Sequence, residues 1–308
     1  MQPVRKNTLV YDYKTGRHTL EKLEKILICI AISSMVPNLL YYLRMGWEVT
    51  TMSSFKIPTE SMMPTLIPGD NVYVNKWIMG GRIFDVEASF HRQVDISRLP
   101  GIRKLKRNDV IVFNDPYPYR SDTMYMDMKR YYIKRCIGLP GDTMEIRNGY
   151  FRVNGTDERL GNSEVQEAIS HLKGVPEERV AFHAFPHSNR YGWTIQEFGP
   201  YCIPHKGMTI PMDSMTVTLY HKLIRWEQRQ EVTEQDGRVM LGDSLIHEYT
   251  FRENYYFTAG DNGLDSRDSR YWGPVPEPFI VGVATRIWKS VDKYTDEWRS
   301  DRFLKGIE

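Results

Sequence analysis

Apolar and polar positions are unevenly spread along this chain of 308 residues, and one stretch stands apart. Residues 26–43, ILICIAISSMVPNLLYYL, carry no charge. As a helix rising ~1.5 Å per residue, the run would span about 27 Å, close to the ~30 Å hydrocarbon core of a bilayer. Ser33, Ser34 and Asn38 dilute its apolar character, and Pro37 would kink it. Tyr41, Tyr42 and Trp47 fall where an interfacial aromatic belt would lie. A buried soluble helix and a cleavable signal peptide are the competing readings. The run is long for the latter, and no Ala-x-Ala site follows it. The pattern therefore predicts one membrane-spanning anchor over residues 26–44, after a tail of residues 1–25. Arg5, Lys6, Lys14, Arg17, Lys22 and Lys25 precede the run, whereas residues 44–68 carry only Arg44 and Lys56. That asymmetry leaves the N-terminus cytoplasmic and everything after the span on the far side.

Beyond the span the periodicity changes. Residues 72–75, 110–113, 131–137 and 255–259 are short, β-branched or aromatic runs bounded by Gly, Pro, Asn or Asp, and they read as strands. Pro68-Gly69-Asp70 and Pro140-Gly141-Asp142 are turn signals, since Pro fixes φ and Gly permits positive φ. Between about residues 148 and 240 helical patterns enter. Ser163 and Gln166 have capping-box spacing at the start of a helix that Gly174 would close. A second helix is predicted from Met212 to about Trp226, with Leu219, Leu223 and Trp226 on one face. The expected fold is mostly β, with a first catalytic part at 45–147, an inserted α+β domain at 148–240 and a second catalytic part at 241–308.

Composition narrows the classes. The net charge of +2 gives no reason to expect a nucleic-acid partner, and the short basic run from Arg103 to Arg107 reads as solvated surface. A mean hydropathy of −0.49 describes a soluble chain apart from the one span. Three cysteines make no disulfide framework. Cys29 lies in the span, and Cys136 and Cys202 read as free, partly buried thiols. The eight histidines form no metal pattern. His183 and His187 are four apart, but Pro186 breaks any helix that would align them. No metal or cofactor is expected.

Candidate chemistry sits in two segments. Pro58-Thr59-Glu60-Ser61-Met62-Met63-Pro64-Thr65 offers a serine between turn-forming prolines. Tyr131-Tyr132-Ile133-Lys134-Arg135-Cys136 places a lysine in an apolar strand. Taken alone, Ser61 reads as a turn serine capping a neighbouring amide, and Lys134 could face solvent. Alternation puts Lys134 on the side of Tyr132 and Cys136, which argues for burial. A serine needs an adjacent base, and a lysine can be that base once burial lowers its pKa. An unperturbed lysine is neutral only about once in a few thousand at pH 7. Lowering its pKa to ~7–8 corresponds to roughly 3–4 kcal/mol of disfavoured charge.

A third segment, Gly260-Asp261-Asn262-Gly263-Leu264-Asp265-Ser266-Arg267-Asp268-Ser269-Arg270-Tyr271-Trp272-Gly273, completes the set. Read in order, the three segments resemble the boxes of type I signal peptidases, membrane-bound Ser–Lys proteases that remove signal peptides. Arg107-Asn108-Asp109-Val110-Ile111-Val112-Phe113 and the closing runs around Trp288 and Trp298 resemble further boxes of that family. The resemblance implies Ser61 as nucleophile and Lys134 as general base. It implies Thr59 as an oxyanion donor and Ser266 as the group orienting the lysine, with Ser269 the alternative. Gly263 and Leu264 depart from the usual motif. Arg135 with Asp261 and Asp268 with Arg270 are expected to be structural ion pairs. Ile57, Pro58, Met62, Leu66, Tyr132 and Ile133 would line a pocket favouring small side chains before the scissile bond, with the substrate added as a β-strand. An extended run would put Thr59 and Ser61 on one side. The resemblance further implies a monomer in a bacterial inner membrane, an organelle of bacterial descent being the alternative, with preprotein signal peptides and the lipid bilayer as partners. Phe55, Trp288 and Trp298 are expected to face the bilayer. The rival readings are a self-cleaving Ser–Lys relative and an inactive membrane-anchored scaffold.

Overall fold

The computed structural model describes residues 52–85, 94–118, 123–173 and 182–308, with isolated helical positions at 25, 33, 35–37, 39 and 40. Met1–Glu48 and Val49–Glu308 form separate units. Apart from those positions, the predicted anchor and its tail lie outside the described residues. Met35, Val36, Leu39 and Leu40 are helical with exposed side chains. Among the described residues no helix is long and apolar enough to cross a membrane.

In the larger unit, β1 (Met52–Lys56) and β2 (Asp70–Asn75) pair antiparallel around the Ser61 segment. A short arm pairs β3 (Arg82–Ile83) with β4 (Ser97–Arg98). The lysine segment is β6 (Tyr131–Gly138), paired with β5 (Val110–Asn114) so that Ile111 lies opposite Lys134. With β15 (Tyr255–Ala259), β16 (Val275–Pro276), β17 (Ile280–Ser290) and β18 (Lys305–Gly306), these strands form one sheet. Its order is β1-β2-β17-β5-β6-β15-β16, with β18 on β17. The four strands expected from periodicity are all present in it.

Alternation along β5 explains how this sheet is covered. All five of its residues are buried. Val110 and Val112 join an inner aliphatic cluster with Ile57, Met62, Leu66, Val72, Val74 and Ile287. Ile111 and Phe113 join a larger outer cluster. A period-2 strand buried on both faces must lie between two cores. The sheet curls around the inner one, which brings Phe55 of β1 within 5.1 Å of Tyr131 of β6 in an edge-on ring contact.

The outer cluster is shared with a satellite region built on β7 (Thr143–Arg147), β8 (Tyr150–Val153) and β9 (Phe198–Cys202), in the order β8-β7-β9. It continues through β10 (Thr209–Pro211), β11 (Val232–Gln235), β12 (Arg238–Leu241), β13 (Ser244–Ile246) and β14 (Glu248–Thr250). The expected boundaries at 148 and 240 cut through paired strands. β7 precedes 148 yet pairs with β8 and β9, and β14 follows 240 yet pairs with β10. Met144, Phe198, Leu223 and Val239 share their core with Phe257 and Phe279.

Among the described residues, two helices complete this region. α1 (Ser163–Ser170) is capped by Asn162, whose side chain accepts from the amides of Glu164 and Val165, rather than by Ser163. Gln166 instead reaches back to the carbonyls of Leu160 and Asn162, and the C-cap is His171, before the expected Gly174. α2 (Ser214–Gln228) starts at a capping box between Asp213 and Thr216 and buries Leu219 and Leu223.

Candidate active site

Ser61 sits in a turn between β1 and β2. Ile57 closes the strand pairing, its amide donating to the Asp70 carbonyl and its carbonyl accepting from Gly69. Pro58 and Thr59 are then exposed, and Met63 N–H donates to Glu60 and Leu66 N–H to Met62. The extended run expected from Thr59 to Ser61 is therefore a bend and a turn, as the prolines on either side favour. Neither the Thr59 hydroxyl nor the Ser61 amide donates a hydrogen bond among the described residues. Met62 and Leu66 are fully buried in the inner core and anchor the turn.

Lys134 is 1% exposed, and its Nζ lies 2.5 Å from Ser61 Oγ. Its ammonium stands 5.6 Å from the Tyr132 ring. Burial lowers its pKa to about 8. Arg270 adds to that effect, and Asp268, Asp261 and Asp265 oppose it. The lysine is thus poised to exchange a proton near neutral pH.

The 260–273 loop is fastened to both segments. Asn262 donates from its amide to Ser61 O at 3.1 Å and from its side chain to Glu60 O at 3.3 Å. Gly260 permits this approach, because a Cβ there would lie 2.2 Å from Ser266 Oγ and 2.4 Å from Ser61 O. Arg135 grips Asp261 through two hydrogen bonds of 2.7 and 2.6 Å, and it also reaches Thr65 Oγ1 at 3.3 Å. Asp268 caps α3 (Ser269–Trp272) and pairs with Arg270 at 2.9 and 2.8 Å, both side chains buried. Burial alone would raise the Asp268 carboxyl. The Arg270 charge, with hydrogen bonds from Arg270, Gly260 and Ser266, holds it below the usual carboxylate range.

The expected bond between Ser266 and the lysine is replaced by another. Ser266 Oγ donates to Asp268 Oδ2 at 2.7 Å, because the buried carboxylate is the stronger acceptor. Ser269 is no substitute, since its hydroxyl accepts from the Thr258 amide at 3.0 Å and meets Thr258 Oγ1 at 3.1 Å. Of the six expected pocket residues, Ile57, Met62, Leu66 and Ile133 belong to the inner core. Tyr132 packs on the outer face against Trp272, and Pro58 is exposed. Trp288 stacks on Tyr73 at 5.5 Å, while Trp298 is half-exposed against Phe303. Cys136 is buried and free, its thiol pushed up by burial, and Cys202 is also free. Asn262 and the pair of Arg302 with Asp70 were not singled out by sequence. Asn262 had its GDN setting as a signal, but Arg302 lies 232 residues from its partner and had none.

Comparison with known proteins places the chain in a family. The family model described as signal peptidase, peptidase S26, matches residues 29–289. A signal peptidase I of Buchnera aphidicola subsp. Schizaphis graminum is 27% identical over 267 residues, covering 82% of this chain and 73% of that one. A signal peptidase I of Pseudomonas aeruginosa is 30% identical over 254 residues, covering 77% of this chain and 64% of its own length. A solved signal peptidase I from Enterococcus faecalis V583 is 25% identical at a TM-score of 0.29, covering 60% of this chain and 100% of that one. The chain belongs to the signal peptidase family, peptidase S26, hydrolases of the serine protease class that process signal peptides.

Proposed function

We propose that this chain is a membrane-anchored endopeptidase that removes signal peptides from translocated preproteins, cutting after small residues of the Ala-x-Ala type with a Ser61–Lys134 dyad. The observation that carries the reading is the 2.5 Å contact between Lys134 Nζ and Ser61 Oγ, with the lysine buried. Ser61 Oγ attacks the scissile carbonyl as neutral Lys134 takes its proton. Lys134 then protonates the leaving amine, and a water deprotonated by Lys134 hydrolyses the acyl-enzyme. With a pKa of about 8, roughly a tenth of the lysine is neutral at pH 7. The Ser61 amide and the Thr59 hydroxyl are free to hold the developing oxyanion. Ser266 acts one step removed, locking Asp268 and thereby the loop that backs the Ser61 turn.

Substrate entry is supported by an open strand edge. β15 pairs with β6 only as far as Ala259 opposite Arg135, so among the described residues Tyr131–Ile133 have no partner strand on that side. β1 is an edge strand as well. An extended peptide between them would add as a strand, its small residue meeting Ile57, Met62, Leu66 and Ile133. The 26–44 anchor would hold the domain outside the cytoplasm at a bacterial inner membrane, as a monomer.

The test is cleavage of an Ala-x-Ala reporter by the detergent-solubilised chain across pH. We expect kcat/KM to rise about tenfold per pH unit below ~8 and then to level. Ser61→Ala and Lys134→Met should each remove nearly all cleavage, and the double variant should lose little more than either alone. Retention of a tenth of the wild-type rate by Lys134→Met would refute the base.

A further inference from the structure

A cavity of about 410 Å³ opens along the 260–273 loop, whose Gly260 and Asn262 approach Ser61. Leu264, Asp265, Ser266, Arg267 and Trp272 line it, with His187 contributed by the satellite region. Its relation to β6 follows from alternation. Ile133 belongs to the inner core, whereas Tyr132 packs with the outer one. Trp272 lies 5.1 Å from Tyr132, ring to ring, and the Arg267 guanidinium lies 5.9 Å over the Trp272 ring. Arg267 is exposed, and among the described residues this stack is its direct contact.

Successive side chains of an extended peptide point to opposite faces. When the residue before the scissile bond enters the inner pocket, the residue preceding it must turn toward Tyr132, Trp272 and this cavity. We propose that Arg267 reads that middle residue of the Ala-x-Ala tripeptide and favours an acidic side chain over a basic one. The inference rests on the peptidase reading above. A guanidinium stacked on an indole keeps its N–H edge free for a carboxylate. Asp265 lines the same cavity as Arg267, so both signs of charge face it. Arg267 acts on Tyr132 and on Asp115 at the end of β5, whereas Asp265 acts on Lys134. Asp115 is 8% exposed, accepts the Tyr117 amide and has its carboxyl raised by burial, so it leaves the outward edge of Arg267 uncovered. Arg130 lies on the same side and pairs with Asp127 at 3.7 Å.

The experiment uses the full chain in detergent and three reporters differing only at the middle residue: Glu, Gln or Lys. Wild type should favour Glu over Lys in kcat/KM by about threefold to fivefold, the range of a solvent-accessible ion pair. Arg267→Glu should invert that order, and Arg267→Gln should bring the ratio near one. Because a ratio is read, a general loss of activity or folding cancels. Raising the salt to 1 M should shrink the wild-type ratio. An unchanged Glu-to-Lys ratio in Arg267→Glu overturns the proposal. So does a charge preference that appears only when the charged residue is moved to the position after the cut. Equal cleavage of all three reporters by wild type sinks the role of Arg267 alone. Cleavage of none of them sinks the peptidase reading with it.

Discussion

Two turns of this molecule share a sequence and a geometry but not an environment. Pro68-Gly69-Asp70 and Pro140-Gly141-Asp142 each hold a glycine at positive φ, +99° and +90°. In each, the aspartate accepts the amide three residues back, Ile67 at 2.9 Å and Leu139 at 2.8 Å. In each, an arginine forks onto the same carboxylate: Arg302 at 2.9 and 2.6 Å, Arg107 at 3.0 and 2.6 Å. The first turn is sealed, with Asp70 fully buried and Gly69 pressed on Val291 O. The second is partly solvated, and a Cβ on Gly141 would meet only His205 at 3.5 Å. Turn chemistry makes the shape in both places, and burial decides what depends on it. The sealed copy ends the loop that carries Ser61, and Arg302 also holds the Thr65 carbonyl within that loop.

The largest contrast is expected at the glycines. A Cβ on Gly69 would lie 1.9 Å from Val291 O, so Gly69→Ala must displace backbone as well as strain φ. We expect a loss of at least about 4 kcal/mol in urea unfolding, against about 1–2 kcal/mol for Gly141→Ala. Equal losses would mean that surroundings do not distinguish the turns. Next comes Asp70→Asn, which leaves Arg302 buried without a counter-charge and should remove about 3–5 kcal/mol of stability. It should lower kcat as well, because Arg302 then releases the Ser61 loop.

Thr59→Val sharpens the comparison by separating chemistry from scaffold within the same loop. It should lower kcat by about 10²–10³ with stability and KM nearly unchanged, while Thr59→Ser stays near wild type. Equal activity of the Val and Ser variants would make Thr59 a packing residue.

Lys134→Met is expected to stabilise the protein while removing its activity. Folding lowers this lysine's pKa from 10.5 to about 8, so the unfolded chain binds the extra proton between those values and stability rises with pH across that window. Below pH 8 the penalty of roughly 3 kcal/mol is fully present. The variant's advantage over wild type should therefore be greatest near neutral pH and vanish above about pH 10.5. A constant advantage would point to packing instead. The smallest effect belongs to Asp142→Asn, at about 1 kcal/mol or less with normal kcat, since its partner Arg107 keeps access to water.

Much of the fold was legible locally. Each of the four expected strands follows from runs of β-branched and aromatic residues, and α2 from a 3.6-residue pattern that the capping box of Asp213 with Thr216 opens. Ser61 and Lys134 stood out through the resemblance of three segments in order, since a serine between prolines alone reads as a turn residue. The Ser266 bond to Asp268 was not legible, because it depends on which acceptor the folded loop presents. The strand pairing across residues 148 and 240 was not legible, because a shared hydrophobic core leaves no mark in local composition.

By itself, then, the sequence determined the strands and the turn chemistry of both Pro-Gly-Asp copies, since these depend on neighbours within a few positions. Tertiary structure alone decided which face each β5 residue serves, that Arg302 reaches Asp70 across 232 residues and that Ser266 turns to Asp268. It also decided how far Lys134 is desolvated. Those outcomes depend on burial and on partners distant in the chain, and a charge's surroundings exist only once the chain has folded around it.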